Sequence, residues 1–206
     1  GCHKGRTSVW AEAQVEKWYR ANRRSPPRDY ADVLALGRSG GADANPSLLE
    51  LASYQAAPAI ARATALAALG EQLGPASIQT LVNGLYAEDA LERRAAVEAL
   101  ENLDQRTRWQ LLSPLLEDPV RGVRIAVAVT LADVRLATLP EVERPKLQRA
   151  FDEYLAAERL NADHAEHWVN LADFRMRQGE IPAAEAAYGE ALTTVSETGA
   201  EIIHGE

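Results

Sequence analysis

The sequence predicts an all-α protein, an α-α superhelix (solenoid) in which short helical repeats stack on one another. Two sets of residues recur at a spacing of thirty-one: Arg62, Arg93 and Arg124, and Leu69, Leu100 and Leu131. A third set recurs at a spacing of thirty-four: Ala150, Tyr154 and Ala157 are followed by Ala184, Tyr188 and Ala191. Fixed periods of this length are typical of solenoids, whose units bury their apolar faces against neighbouring units. The abundance of Ala favours closely packed helices.

Composition narrows the possible functions. The chain has 206 residues, of which 47% are hydrophobic and 25% charged, and a formal net charge of −8. The negative charge argues against a nucleic-acid partner, since such proteins need a basic face. No window is long and apolar enough to predict a membrane span. A single Cys excludes an internal disulfide, so the cysteine content does not indicate the compartment.

Residues 1–28 form the first predicted segment. Ser8 is in position to cap a helix that carries Trp10 and Trp18, and Pro26-Pro27 ends that helix. Two Trp on one helix indicate burial, so we expect the helix to pack on another part of the protein. Residues 4–28 are basic, which is compatible either with contact to the acidic remainder or with a binding patch for a partner.

Residues 29–134 form the second segment. Tyr30 to Gly37 predicts a short helix with Val33, Leu34 and Leu36 inward, and Asn45-Pro46 marks another helix start. Pro58 starts the next helix. Further helices are predicted at 76–87, 90–102, 105–117 and 119–134, with Asp89, Asp104 and Asp118 as N-caps. The connections are short, so consecutive helices are expected to be antiparallel.

Two stretches of this segment resemble HEAT repeats of the short, PBS-lyase type. They are Leu91-Glu-Arg-Arg-Ala-Ala-Val-Glu-Ala-Leu100 and Asp118-Pro-Val-Arg-Gly-Val-Arg124 followed by Ile-Ala-Val-Ala. In that family the Arg commonly pairs with an Asp of the neighbouring unit. The resemblance therefore implies that Arg93 and Arg124 are structural and not catalytic.

Residues 135–206 resemble tetratricopeptide repeats. Trp168-Val-Asn-Leu171-Ala172 matches the start of such a repeat, and Gly179 occupies the turn between its helices. Arg175 and Ser196 depart from the usual aromatic residue and Pro. By this resemblance, the concave groove residues are Glu166, Val169, Asn170, Asp173 and Arg177. A peptide-binding groove and the plain inner face of a scaffold both remain open.

The order of these parts resembles the C-terminal half of a bacterial multihaem cytochrome c family. The chain begins Gly1-Cys2-His3, which matches the end of the C-x-x-C-H haem attachment motif. The resemblance implies that Cys2 is the second thioether-forming Cys and His3 the proximal axial ligand of the last haem c in a longer protein. The first Cys of the motif is not in this sequence, so we expect no haem on this chain by itself. The resemblance also implies export, which makes the protein periplasmic.

We therefore expect a non-enzymatic protein-interaction scaffold attached to a c-type electron-transfer cytochrome, with a protein partner or its own haem domain on the groove. One alternative is a direct part of an electron-transfer unit that packs Trp10 and Trp18 on haem or ligates it. Another is a cytoplasmic adaptor without haem. His164 and His167 lie three residues apart, but no third ligand is near, so no metal site is predicted. No catalytic motif is visible.

Overall fold

A computed structural model describes residues 5–19, 30–39, 44–160 and 163–204. These residues form helices and turns and contain no β-strand, which confirms the prediction of an all-α fold. The α-helices, in chain order, are α1 (Ser8–Tyr19), α2 (Tyr30–Arg38), α3 (Ala44–Ser53), α4 (Ala59–Leu69), α5 (Pro75–Gly84), α6 (Ala90–Ala99), α7 (Gln105–Leu112), α8 (Arg121–Thr130), α9 (Arg144–Arg159), α10 (Ala165–Gln178) and α11 (Ile181–His204). None of the helices in these ranges is both long and apolar enough to cross a membrane.

Neighbouring helices pack on one another along the chain. Helix α3 packs on α4, α4 on α6, α6 on α8, α8 on α9, and α10 on α11. The buried apolar side chains of these helices form one cluster that extends from α2 to α11. The described core is therefore a continuous strip between successive helices.

The apolar residues that recur at a spacing of thirty-one are fully buried in this strip. Leu69, Leu100 and Leu131 are each 0% exposed, and so are Ala65 and Ala96. Small side chains let α4 and α6 approach closely: a Cβ on Gly70 would lie 2.7 Å from the Cβ of Ala99. The sequence period thus corresponds to equivalent buried positions at α4, α6 and α8.

Two of the three predicted aspartate N-caps are confirmed. The carboxylate of Asp89 accepts from the amide of Leu91 at 2.8 Å, and that of Asp104 from the amide of Thr107 at 3.0 Å. The prediction for Asp118 is wrong, because α8 begins only at Arg121, with Val120 at the N-cap. The backbone of Val120 is extended, with φ −95° and ψ 116°, so the helix starts only after it.

Expectations for the N-terminal helices are partly wrong. The amide of Trp10 donates to Thr7 Oγ1 at 3.3 Å, so Thr7 and not Ser8 caps α1. Trp18 is 65% exposed, because it shares a face of α1 with Val15 that no described helix covers. In α2, Val33 is buried as predicted, whereas Leu36 lies at the surface.

Aromatic side chains join α9 to α10. The ring of Phe174 meets Phe151 edge-on at a centroid distance of 5.3 Å and lies 4.6 Å from the ring of Tyr154. Gly179 closes α10 with a φ of +79°, a conformation that favours Gly. Between α8 and α9 the structure has the 3-10 turn Leu136–Thr138, and Pro145 lies in the first turn of α9, where Pro is tolerated.

Candidate interaction groove

A groove runs across α6, α8 and α10. Its larger part is a cavity of about 490 Å³, which we call the α10 cavity. The α10 cavity is lined by Val129, Tyr154, Asn170, Asp173, Phe174, Met176, Arg177 and Tyr188. A second hollow of about 290 Å³ shares Val129, Tyr154 and Asn170 with it. The second hollow is also lined by Arg94, Glu98, Glu101, Ile125, Ala126, Thr130 and Glu158. The two form one groove because of the shared lining.

Three of the five predicted groove residues line the α10 cavity: Asn170, Asp173 and Arg177. Glu166 and Val169 are exposed and line neither hollow. Glu166 is on the same face of α10, about one turn nearer its start and beyond the end of the cavity. Val169 shares a side of α10 with Met176, which lines the cavity, but lies about two turns nearer the start of the helix.

Arg177 ties α10 to the ends of two other helices. Its Nη1 donates to Glu101 Oε1 at 2.8 Å, and its Nη2 lies 3.4 Å from the carbonyl oxygen of Thr130. A cation at the carbonyl end of α8 is favourably placed in the helix dipole. The resemblance assigned Arg177 to the groove surface, and the structure adds that its guanidinium already has partners.

A polar network around Glu158 joins α9 to α10 beside the groove. Glu158 Oε2 accepts from Asn170 Nδ2 at 3.3 Å and lies 2.6 Å from His167 Nδ1. The hydroxyl of Tyr154 donates to the carbonyl oxygen of Asn170 at 3.1 Å. Burial raises the pKa of Tyr154, and the nearby carboxylates of Glu158 and Asp173 raise it further. Tyr154 therefore remains a neutral hydrogen-bond donor at physiological pH.

At the mouth of the α10 cavity, Tyr188 donates a hydrogen bond to Asp173 Oδ1. This bond raises the pKa of the phenol, because the carboxylate partner disfavours a second negative charge. Asp173 is exposed, and Tyr188 is 37% exposed. The pair thus presents a carboxylate and an aromatic edge to solvent beside an apolar floor.

The arginines with a spacing of thirty-one are engaged in structural contacts. Each forms an ion pair with an acidic residue of a later helix or turn: Arg62 with Glu92, Arg93 with Asp118, and Arg124 with Glu153. Arg93 Nε lies 2.7 Å from Asp118 Oδ2, and its Nη1 donates to the carbonyl oxygens of Ala87 and Glu88 at 2.9 and 2.8 Å. We call these three pairs the arginine ladder. Its guanidinium groups are occupied and do not form a binding site.

The first ladder pair borders a further hollow, of about 710 Å³, between α3, α4, α5 and α6. Arg62 and Glu92 lie in its wall beside Asn83 and Tyr86. Arg62 is already bonded to Glu92 at 2.8 Å and to the carbonyl oxygen of Ala57 at 2.7 Å. Because Arg62 and Glu92 are bonded to each other, this hollow offers a ligand fewer free charged groups than its volume suggests.

The remaining predicted ligands are not brought into a site. Cys2 and His3 lie outside the described residues. The rings of His164 and His167 are 6.2 Å apart between centroids. In the described ranges, no three His, Cys, Asp or Glu side chains come together in a group that could hold a metal ion.

Sequence reasoning missed Tyr154, Tyr188 and Val129 as groove residues. The first two were visible as a 34-residue repeat, a signal that indicated core packing and not a surface. Comparison with protein-family models, with curated proteins and with solved structures finds no match to this chain.

Proposed function

We propose that this chain is a non-catalytic protein-interaction scaffold, attached to a c-type multihaem electron-transfer cytochrome. In this proposal residues 29–134 are HEAT-like repeats and residues 135–206 tetratricopeptide repeats of one α-α superhelix. Equivalent burial of residues with a spacing of thirty-one and the arginine ladder support the first assignment. The paired Ala and Tyr positions of α9 and α11 support the second.

The observation that carries the scaffold function is the groove across α6, α8 and α10. Its apolar floor contains Val129, Phe174 and Met176, and polar groups such as Asn170 stand beside them. A concave apolar surface with a few placed polar groups is typical of binding sites. An open groove on rigid helices suits an extended segment of another protein.

The test measures peptide binding to the parent chain and to two variants, in each of which an amide side chain is replaced by Ala. The probes are three pools of short, N-acetylated, C-amidated fluorescent peptides with neutral mixed flanks and a central Lys, norleucine or Glu. Asn170→Ala removes a side chain that lines both hollows, and we expect at least one pool to bind about tenfold more weakly. Gln148→Ala on α9, outside the groove, is the control and should leave binding unchanged. Absence of binding by every pool would contradict the scaffold function.

Attachment to a cytochrome rests on the sequence resemblance. Cys2 and His3 are the residues that would hold haem c, which supplies one-electron redox chemistry when bound. The product of the complete gene, expressed with a cytochrome c maturation system, should carry covalent haem by haem stain and absorption spectrum. Replacing Cys2 by Ala should reduce the haem content. A colourless product would contradict the attachment and leave a haem-free scaffold.

A second candidate function is direct contact of α1 with a haem-bearing part of the protein. Its supporting observation is the exposed face of α1, where Trp18 is 65% and Val15 51% exposed. An exposed Trp beside a Val is a suitable surface for packing on an apolar partner. If this candidate is right, Trp18→Ala should shift the reduction potential of the haem-bearing gene product. Asn170→Ala should leave that potential unchanged.

A further inference from the structure

The groove carries an excess of carboxylates above an apolar floor. Six charged side chains line its two hollows: Glu98, Glu101, Glu158, Asp173, Arg94 and Arg177. Both arginines are already paired, Arg94 with Glu98 at 2.7 Å and Arg177 with Glu101 at 2.8 Å. The remaining two carboxylates, Glu158 and Asp173, determine which charge the groove attracts.

Neither remaining carboxylate is paired with a Lys or Arg among the described residues. Asp173 accepts from the neutral phenol of Tyr188, and Glu158 contacts Asn170 and His167. Both lie beside Tyr154, which lines the two hollows. Asp173 lines the α10 cavity and Glu158 the second hollow, so a cation in the groove meets Asp173 directly and the negative charge of Glu158 from the adjoining hollow.

The walls next to these carboxylates suit a long basic side chain. Tyr188 is 37% exposed and offers a ring to a cation, and Met176, 44% exposed, offers an apolar surface. Lys and Arg have aliphatic stems that pack on apolar walls while the charged end reaches a carboxylate. A peptide carboxy terminus would instead face Asp173 and Glu158, and like charges repel.

We propose that the partner of this groove is an extended protein segment with a Lys or Arg side chain, whose charged end binds at Asp173 and whose stem packs on Met176 and Tyr188, with the charge of Glu158 in the adjoining hollow adding to the attraction. This inference rests on the proposed scaffold function and names the chemistry of its partner. The net charge of −8 acts in the same direction, because it attracts basic partners over longer distances.

The test compares the Lys, norleucine and Glu peptide pools by fluorescence polarisation. The Lys pool should bind about tenfold more tightly than the Glu pool, and added salt should reduce the difference. Asp173→Asn retains an acceptor for Tyr188 but removes the charge. This variant should bind the Lys pool more weakly and bind the norleucine pool with unchanged affinity.

A matched pair of charge reversals separates a local contact from the general field of the protein. Asp173→Lys and Glu166→Lys change the charge of α10 equally, but only Asp173 lines the cavity. Asp173→Lys should abolish the preference for the Lys pool, whereas Glu166→Lys should retain most of it. Circular dichroism verifies that both variants are folded.

Three results would overturn the inference. Equal affinity for all pools would leave the scaffold function standing and remove the preference for a basic segment. An equal loss of the preference for the Lys pool in Asp173→Lys and Glu166→Lys would show that this preference comes from net charge alone. Binding by no pool would contradict the scaffold function together with the inference.

Discussion

Replacement of Arg93 by Met should destabilise the protein far more than the same change at the next residue. The Arg93 side chain is 12% exposed and its partner Asp118 is 6% exposed. The pair is bidentate, with Nε to Oδ2 at 2.7 Å and Nη2 to Oδ1 at 3.0 Å. In Arg93→Met, Asp118 retains a bond from the Val120 amide at 2.8 Å but loses its cation.

The expected cost is about 3 kcal/mol, the lower end for a broken buried pair, because Asp118 loses both bonds of its bidentate partner and keeps only the Val120 amide and the neighbouring charge of Arg124. The carbonyl oxygens of Ala87 and Glu88 lose their donor in the same variant. The matched control is Arg94→Met, since Arg94 pairs with Glu98 at the surface, with side chains 57% and 49% exposed. An exposed pair four residues apart on a helix contributes only about 0.3 to 0.5 kcal/mol.

The assay is urea unfolding followed by circular dichroism, with native-state hydrogen exchange to locate the loss. Repeat arrays need not unfold in one step, so exchange is the more informative readout. Protection should fall first in α6 and in the turn before α8, the segments that the pair connects. Equal stabilities of Arg93→Met and Arg94→Met would refute the argument that the ladder holds neighbouring helices together.

The stability difference between the parent and Arg93→Met depends on pH. Burial opposes ionisation of Asp118, but the bonds from Arg93 and the Val120 amide outweigh it and hold the pKa of Asp118 below its ordinary value. A lowered carboxylate pKa stabilises the fold above the unfolded pKa of about 3.9 and ceases to do so as pH falls through the folded value. The stability difference between the parent and Arg93→Met should therefore narrow below about pH 4.

Two further substitutions test the packing. Gly70→Ala should cost about 1 to 3 kcal/mol, because its Cβ would lie 2.8 Å from the Cα of Ala99. Gly74→Ala meets no atom within 4 Å and should cost less than about 1 kcal/mol in thermal unfolding, since it loses only the preference for Gly over Ala at the N-cap of α5. Phe174→Ala should cost about 3 to 5 kcal/mol, because Phe174 is 2% exposed and packs on Tyr154, and it should lower the protection of α9 and α10 before that of α4. Equal melting temperatures of both glycine variants, or uniform loss of protection in Phe174→Ala, would contradict these expectations.

Periodicity was the most informative part of the sequence. Repeated Leu and Ala positions are buried, because a residue that recurs at one place of a packed helix meets the same neighbours each time. Helix starts at Asp89 and Asp104 were predictable, since a cap depends on local backbone groups. The ladder partner Glu153 was not, because it belongs to α9 beyond the 31-residue period.

Features that depend on tertiary neighbours could not be predicted. Trp18 is exposed although its residue type indicates burial, because its surroundings depend on which helices reach it. The tetratricopeptide resemblance placed Glu166 and Val169 in the groove with Asn170, whereas the packing of the neighbouring helices determines how much of α10 borders the cavity. The acidic character of the groove emerges only when α6, α9 and α10 are brought together.

The most direct test of the account is to map where a bound peptide lies. A peptide from the Lys pool with a diazirine-bearing leucine analogue beside the Lys is irradiated on the intact chain, and the adducts are located by mass spectrometry. The account predicts adducts on groove residues such as Val129, Met176 and Tyr188. Adducts concentrated on the exposed face of α1 around Trp18, or on Leu192 and Val195 of α11, would contradict it.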